Sequence, residues 1–147
     1  MQRIATSILI AAPVERVWSV LMDFTAYPVW NPFIRSLRGS PVVGSRLGVT
    51  IEPVGGKAMS FSPQVLTCER NKEFRWKGRV LLPGIFDGEH HFRLSSIDGR
   101  STTFEHGEEF TGILVPIVMR GATKSGTEEG FVAMNQSLKA RAEARDA

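Results

Sequence analysis

Hydrophobic spacing changes repeatedly along the chain, and each change marks a new element. In "QRIATSILIA" (residues 2–11) Ile4, Thr6, Ile8 and Ile10 share one alternating face, and that period of two predicts a first strand. Pro13 then suits the first turn of a helix, in which Val14, Val17, Trp18 and Leu21 recur at helical spacing with Glu15, Arg16 and Ser19 off the stripe. Asp23 can cap the next helical turn. The two prolines of "FTAYPVWNPF" interrupt any long second helix, so one irregular turn is predicted around residues 24–29, followed by loop.

Alternation returns between residues 34 and 110, in "FIRSLRG", "SRLGVTIEP", "AMSFSPQVLTCER", "EFRWKGRVLLP", "IFDGEHHFRLSSI" and "RSTTFEHGEEF", with Gly, Pro, Asn or Asp turns between them. Leu47, Val49 and Ile51 alternate with polar neighbours, as do Phe74, Trp76, Val80 and Leu82, which predicts an antiparallel sheet wet on one face and buried on the other. After Gly112 the alternation stops. Phe131, Met134 and Leu138 recur at i, i+3 and i+7, with Glu128, Lys139, Arg141 and Glu143 at exposed positions, so a long C-terminal helix is expected over the sheet. Gly126 and Gly130 each cost this helix about 1 kcal/mol of propensity relative to Ala. Either the helix kinks or frays there, or a glycine permits close approach to the sheet.

A length of 147 residues with 42% hydrophobic content fits one globular domain over residues 1–147, able to bury a core or wrap it round a cavity. The net charge of +3 comes from interspersed rather than clustered basic and acidic side chains, which argues against a nucleic-acid partner. The single cysteine, Cys68, forms no internal disulfide and has no companion at metal-site spacing, which fits a reducing, cytoplasmic setting. "ILIAA" is too short for the apolar core of a signal peptide, and no stretch reaches transmembrane length. "VGG" and "GSRLG" read as hairpin turns, not as a phosphate-binding loop.

The order strand, helix, helical turn, antiparallel meander and long helix resembles the START and birch-pollen-allergen-like helix-grip superfamily. Within it, "APVERVWSVLMDFTAYPVWNPFI", "VGSRLGVTI", "FRWKGR", "FEHGEEFTGILVPI" and "GFVAMNQSLKARAEA" are similar to the bacterial polyketide cyclase/dehydrase-like group, the SRPBCC proteins. The resemblance covers nearly the whole chain. It implies an α+β helix-grip fold, with a curved antiparallel β-sheet wrapped around a long C-terminal helix and two short helices after the first strand. It further implies a cavity between sheet and helix for a small hydrophobic or amphipathic ligand, in a monomer or homodimer. In such a grip Phe24, Tyr27, Trp30 and Phe33 line or seal the cavity mouth; equally, Trp30 and Phe33 pack the domain corner while the prolines set chain direction.

Candidate chemistry lies in "FEHGEEF", where Phe104, His106, Glu108 and Phe110 share the face that apolar flanks mark as inward. On the preceding strand Phe86, Gly88, His90, Phe92 and Leu94 form the inward row, leaving His91 outside. The connection "SSIDGRS" sets the register. A two-residue Asp98-Gly99 turn would join aromatic and charged rows on one face, so a three-residue loop from Ile97 to Gly99 is expected, pairing Phe92 with Phe104 and His90 with His106. Trp76, Phe92, Phe104, Phe110 and Met134 would supply the apolar wall of a cavity of several hundred cubic ångströms.

Buried among those rings, His90, His106 and Glu108 must be satisfied by one another, by water or by a ligand. They orient the polar end of a ligand if the protein is a carrier or sensor. Alternatively, in a polyketide-type aromatase/cyclase or dehydratase, His106 and Glu108, with His90, move protons on a carbonyl substrate. As plain structure they are a hydrated polar network. Without a third histidine in reach, no metal is expected, nor any other cofactor. Cys68 has no inward histidine beside it to make it a nucleophile. A protein-interaction module would call for a long apolar patch on the sheet exterior, and the outer rows are charged.

Overall fold

The computed structural model describes residues 1–80 and 82–144. β1 (Gln2–Ile10) runs through Pro13 into α1 (Val14–Met22), which buries Val17, Trp18, Val20 and Leu21. A 3₁₀ turn (Phe24–Ala26) and the short α2 (Tyr27–Trp30) come next, with Pro28 in the first turn of α2, where its missing N–H breaks no helical bond. The strands are β2 (Ile34–Arg38), β3 (Gly48–Ile51), β4 (Met59–Phe61), β5 (Gln64–Glu69), β6 (Glu73–Val80), β7 (Phe86–Ser96) and β8 (Thr102–Thr111). The chain ends in α3 (Val115–Val118), which the sequence pattern does not anticipate, and the long α4 (Gly121–Glu143). The predicted strand "EFRWKGRVLLP" is extended as far as Val80, and Leu81 lies outside the described residues.

The strands form an antiparallel five-stranded sheet, β1-β8-β7-β6-β5, and a three-stranded sheet, β2-β3-β4. "AMSFSPQVLTCER" is therefore two strands rather than the one expected. Pro63 divides it, since proline offers no N–H to the ladder, and its carbonyl accepts the Leu47 N–H at 2.9 Å. The inner face of the larger sheet carries Phe74, Trp76, Phe92 and Phe104, and α4 lays Phe131, Met134, Asn135 and Leu138 upon it. This is the α+β helix-grip architecture that the element order implies.

α4 runs unbroken through both of its glycines. A Cβ at Gly126 would stand 2.5 Å from the Val54 carbonyl oxygen, and one at Gly130 would stand 2.4 Å from the Phe33 ring. Both glycines are thus points of close approach, to the β3–β4 connection and to Phe33 rather than to the main sheet. The Val54 N–H donates to the Gly126 carbonyl at 3.1 Å, fastening that connection to the helix.

The β7–β8 register differs from the expected one by two residues. Phe92 stands opposite His106, Leu94 opposite Phe104, and His90 opposite Glu108. The cause is local. Asp98 Oδ1 accepts the N–H groups of both Arg100 and Ser101 at 2.9 Å, an Asx-type turn that lengthens the connection, and the Ile97 N–H closes it on the Ser101 carbonyl at 3.0 Å. A shift of two keeps every side chain on its own face, so the inward rows are those predicted and only the partners change.

A buried polar chain as the candidate functional site

β7 and β8 bring His90, His106 and Glu108 together beneath α4, which adds Asn135; β1 contributes Thr6. His90 and His106 are 3% and 0% exposed, so each polar atom needs a partner inside the protein. Thr6 Oγ1 lies 2.7 Å from the His106 carbonyl, Asn135 Nδ2 lies 2.8 Å from Thr6 Oγ1, and Asn135 Oδ1 lies 2.9 Å from His106 Nδ1. The two Nε2 atoms of His90 and His106 are 2.7 Å apart, and His90 Nδ1 is 3.1 Å from Glu108 Oε1.

The direction of every proton in this chain is set by one backbone carbonyl. The His106 carbonyl only accepts, so the Thr6 hydroxyl donates to it and must accept from the Asn135 amide group. That fixes Asn135 Oδ1 towards His106, whose Nδ1 therefore carries hydrogen. Burial drives the His90 pKa down to about 3 and that of His106 well below the ordinary range, so both rings are neutral at physiological pH. The Nε2 of a neutral His106 then accepts, His90 donates from Nε2, and His90 Nδ1 is left as an acceptor. Only a protonated carboxyl can donate to it. Desolvation raises Glu108 to about 8, which supplies that proton.

Space for the acid is provided by Gly88, because a Cβ there would come within 2.2 Å of Glu108 Oε2. The Glu108 side chain retains 15% exposure, so the chain opens outward at this end. Trp76 stacks on His90 at 5.0 Å, and Phe131 lies flat on His106 with ring centres 4.0 Å apart. The Nε2 contact leaves no room for a metal between the imidazoles.

The expected cavity is occupied by side chains: Trp76, Phe92, Phe104, Phe131 and Met134 are 0–1% exposed, Trp76 meets Phe92 and Phe92 meets Phe104 along the sheet, and Phe131 of α4 reaches across to His90 and His106. Aromatic contacts take the volume that the sequence assigns to a ligand. Of the mouth residues, Phe24 stacks on Phe74 at 5.9 Å, Tyr27 is buried with its hydroxyl donating to the Leu21 carbonyl at 2.7 Å, and Phe33 meets Phe131 at 5.2 Å. Trp30 is half-buried against Tyr27, and Phe110 packs with Phe86 at 5.7 Å. Trp30 Nε1 and Asn31 Nδ2 are enclosed donors without a hydrogen-bond partner among the described residues.

Among the described residues, peripheral cavities flank this core. One of about 400 Å³ lies on the outer sheet face between Arg3, His91, Arg93, Glu105 and Glu109. A second of about 570 Å³ separates β1 from α4 and reaches Thr6, while a third of about 400 Å³ lies beside Cys68 and Trp18. His91 faces the outer sheet surface, as its alternation requires. Asn135 and Thr6 are the members of the chain that sequence reasoning misses, although an amide four residues after Phe131, inside an apolar helical stripe, is a visible signal.

A sheet gripping a long helix over a buried acid–imidazole chain gives a helix-grip domain, and comparison with known proteins places it more narrowly. Residues 1–143 match the family described as polyketide cyclase / dehydrase and lipid transport, and the chain belongs to that family. Among solved structures, a START superfamily protein from Mycobacterium smegmatis matches with a TM-score of 0.71 and 22% identity, over 96% of this chain and 97% of that one. The Zhui aromatase/cyclase from Streptomyces sp. R1128 matches with a TM-score of 0.69 and 15% identity, over 97% and 93% of the two chains. A hypothetical protein from Helicobacter pylori gives 0.76 and 12%, over 97% and 88%. At these identities the likeness is one of fold. No curated protein matches the sequence.

Proposed function

We propose that the domain binds a small hydrophobic molecule carrying a hydroxyl or carbonyl oxygen, in the space between the sheet and α4. The observation that supports this is the directed polar chain itself. An apolar core of this size gains nothing from two neutral imidazoles and a protonated acid, whose burial is costly even when fully bonded. With its proton committed to His90, Glu108 keeps Oε2 as an acceptor suited to a ligand hydroxyl. The enclosed Trp30 and Asn31 donors suit a carbonyl oxygen.

Because the rings are packed together, a ligand must displace one of them. Phe131 is the ring to yield: it covers His106 from α4, the element that lines the crevice beside β1. Naphthol and methylnaphthalene provide the test, with binding followed through the fluorescence of Trp76, stacked on His90. Wild type should bind naphthol saturably and about tenfold more tightly than methylnaphthalene, the worth of one hydrogen bond. Glu108→Leu should abolish that preference, and Phe131→Ala should tighten both probes. Absence of saturable binding in wild type, or a preference that survives in Glu108→Leu, overturns the reading.

Acid–base chemistry is the second reading, favoured by the unbroken path from Glu108 through His90 to His106. Two proton hops along it leave a carboxylate and a His106 imidazolium, which protonates a carbonyl or a leaving hydroxyl that takes the place of Asn135 Oδ1 at its Nδ1–H. On a cognate substrate, His106→Phe should then lower the single-turnover rate by about 100-fold while binding persists.

A further inference from the structure

We propose that one end of the molecule is a docking surface for a lipid bilayer bearing anionic headgroups. Two connections build it, β6–β7 and β8–α4, and backbone bonds hold them together: the Ile113 N–H donates to the Gly84 carbonyl at 3.1 Å and the Leu114 N–H to the Ile85 carbonyl at 3.0 Å. On this joined tip Val80 is 52% exposed, Leu82 72%, Ile113 72%, Ile117 59% and Val118 40%. Their projection is fixed from below. Val115 and Met119, on either side of Ile117 and Val118, are 1% and 4% exposed and anchor α3 in the core. Five large aliphatic side chains facing water on one fastened structure form a patch that a soluble surface does not need.

Charge selects the partner. The two segments carry Lys77, Arg79, Arg120 and Lys124, and their one carboxylate, Asp87, is largely buried, with Oδ2 accepting the Gly84 N–H at 3.2 Å and Oδ1 3.9 Å from Arg79 Nε, which it offsets; Lys124 Nζ donates to Gln2 Oε1 at 3.1 Å and keeps its charge. Glu128 and Glu129 lie a turn further along α4, and Glu89 stands opposite Lys77. Aliphatic side chains flanked in both segments by basic residues match the acyl boundary and the phosphates of an anionic bilayer, where each basic residue near the surface adds about 1 kcal/mol. A second copy of this tip would set the same cations face to face, which opposes self-association through it. The inference does not depend on the ligand reading, because adhesion requires no occupied site.

Co-sedimentation of the full chain tests it, using vesicles of phosphatidylcholine alone and of phosphatidylcholine mixed with phosphatidylglycerol. Binding to the mixed vesicles is expected, weaker binding to phosphatidylcholine, and loss as salt is raised. Ile113→Asp with Ile117→Asp should abolish sedimentation, and Arg120→Glu with Lys124→Glu should weaken it about tenfold or more. Ile113, Ile117 and Arg120 are exposed and Lys124 is half-buried, its Nζ donating to Gln2 Oε1 at 3.1 Å, so the Asp pair should retain the wild-type unfolding midpoint and the Glu pair should lower it only slightly. Failure to sediment with mixed vesicles, or sedimentation unchanged in the Asp pair, overturns the proposal. So does a wild-type dimer that the Asp pair dissociates, since a second copy would then cover the tip.

Discussion

Glu108 is the residue on which the site turns, and its neighbour Gly88 is what allows it to sit there. The atom that an added Cβ would strike, at 2.2 Å, is the far end of a flexible side chain. Gly88→Ala should therefore cost the fold little, about 1 kcal/mol, while pushing the carboxyl off His90 Nδ1. Infrared spectroscopy reads this directly. Wild type at neutral pH should show the carbonyl band of a buried carboxylic acid, absent in Glu108→Gln and weakened or shifted in Gly88→Ala. A band untouched by Gly88→Ala would mean that the glycine does not seat the acid. At the inner end, Asn135→Leu strands the His106 Nδ1 hydrogen and deprives the Thr6 hydroxyl of its donor. Two buried groups lose partners, so urea unfolding should show a loss of about 2–4 kcal/mol; a loss below about 1 kcal/mol would deny the chain its structural role.

At the scale of elements, α4 sits as close as it does because of Gly130. Alanine there gains about 1 kcal/mol of helix propensity, but its methyl group meets the Phe33 ring at 2.4 Å, and overpacking typically costs about 1–3 kcal/mol or more. Gly130→Ala should lower stability by about 1–2 kcal/mol in urea unfolding, and stabilisation would refute the close approach. The glycine pattern announces such contacts without naming their partners, because Phe33 and Val54 lie far away in sequence. Strand faces were legible for a related reason: alternation specifies which side a residue faces, and a two-residue slip leaves that unchanged. Register was not legible. It depends on Asp98 capturing two backbone N–H groups, a choice among turn geometries to which hydrophobic spacing is blind. Pro63, by contrast, was a readable break within "AMSFSPQVLTCER". The polar chain was half legible, since His90, His106 and Glu108 stand in inward rows, whereas Thr6 passes for a half-buried strand residue and Asn135, although it lies within the apolar stripe of the helix, carries no pattern that names its partners.

For the whole molecule, the chain makes stability depend on pH in a particular shape. Glu108 ionises near 4.5 in the unfolded chain and near 8 in the fold, so between those values the folded state holds a proton that the unfolded state has lost, and stability declines as pH rises. His90 and His106 are depressed from 6.5 in the fold, so below that value the unfolded chain takes up protons that the fold refuses, and stability declines as pH falls. Half-buried His91, lowered to about 4, adds to that acid arm. The optimum should lie near pH 7, with an alkaline decline of about 0.7 kcal/mol per pH unit from there to pH 8, since folded Glu108 is itself losing its proton over that range. Glu108→Gln should flatten the alkaline arm and leave the acid one; an unchanged alkaline arm would place Glu108 outside the linkage. The most direct measurement of the directed chain is nitrogen NMR of the histidine rings at about pH 7, with His91→Gln used to assign the third signal. Two neutral rings of opposite tautomer are predicted, His106 protonated at Nδ1 and His90 at Nε2. An imidazolium at His90, or a His106 hydrogen on Nε2, would contradict the account.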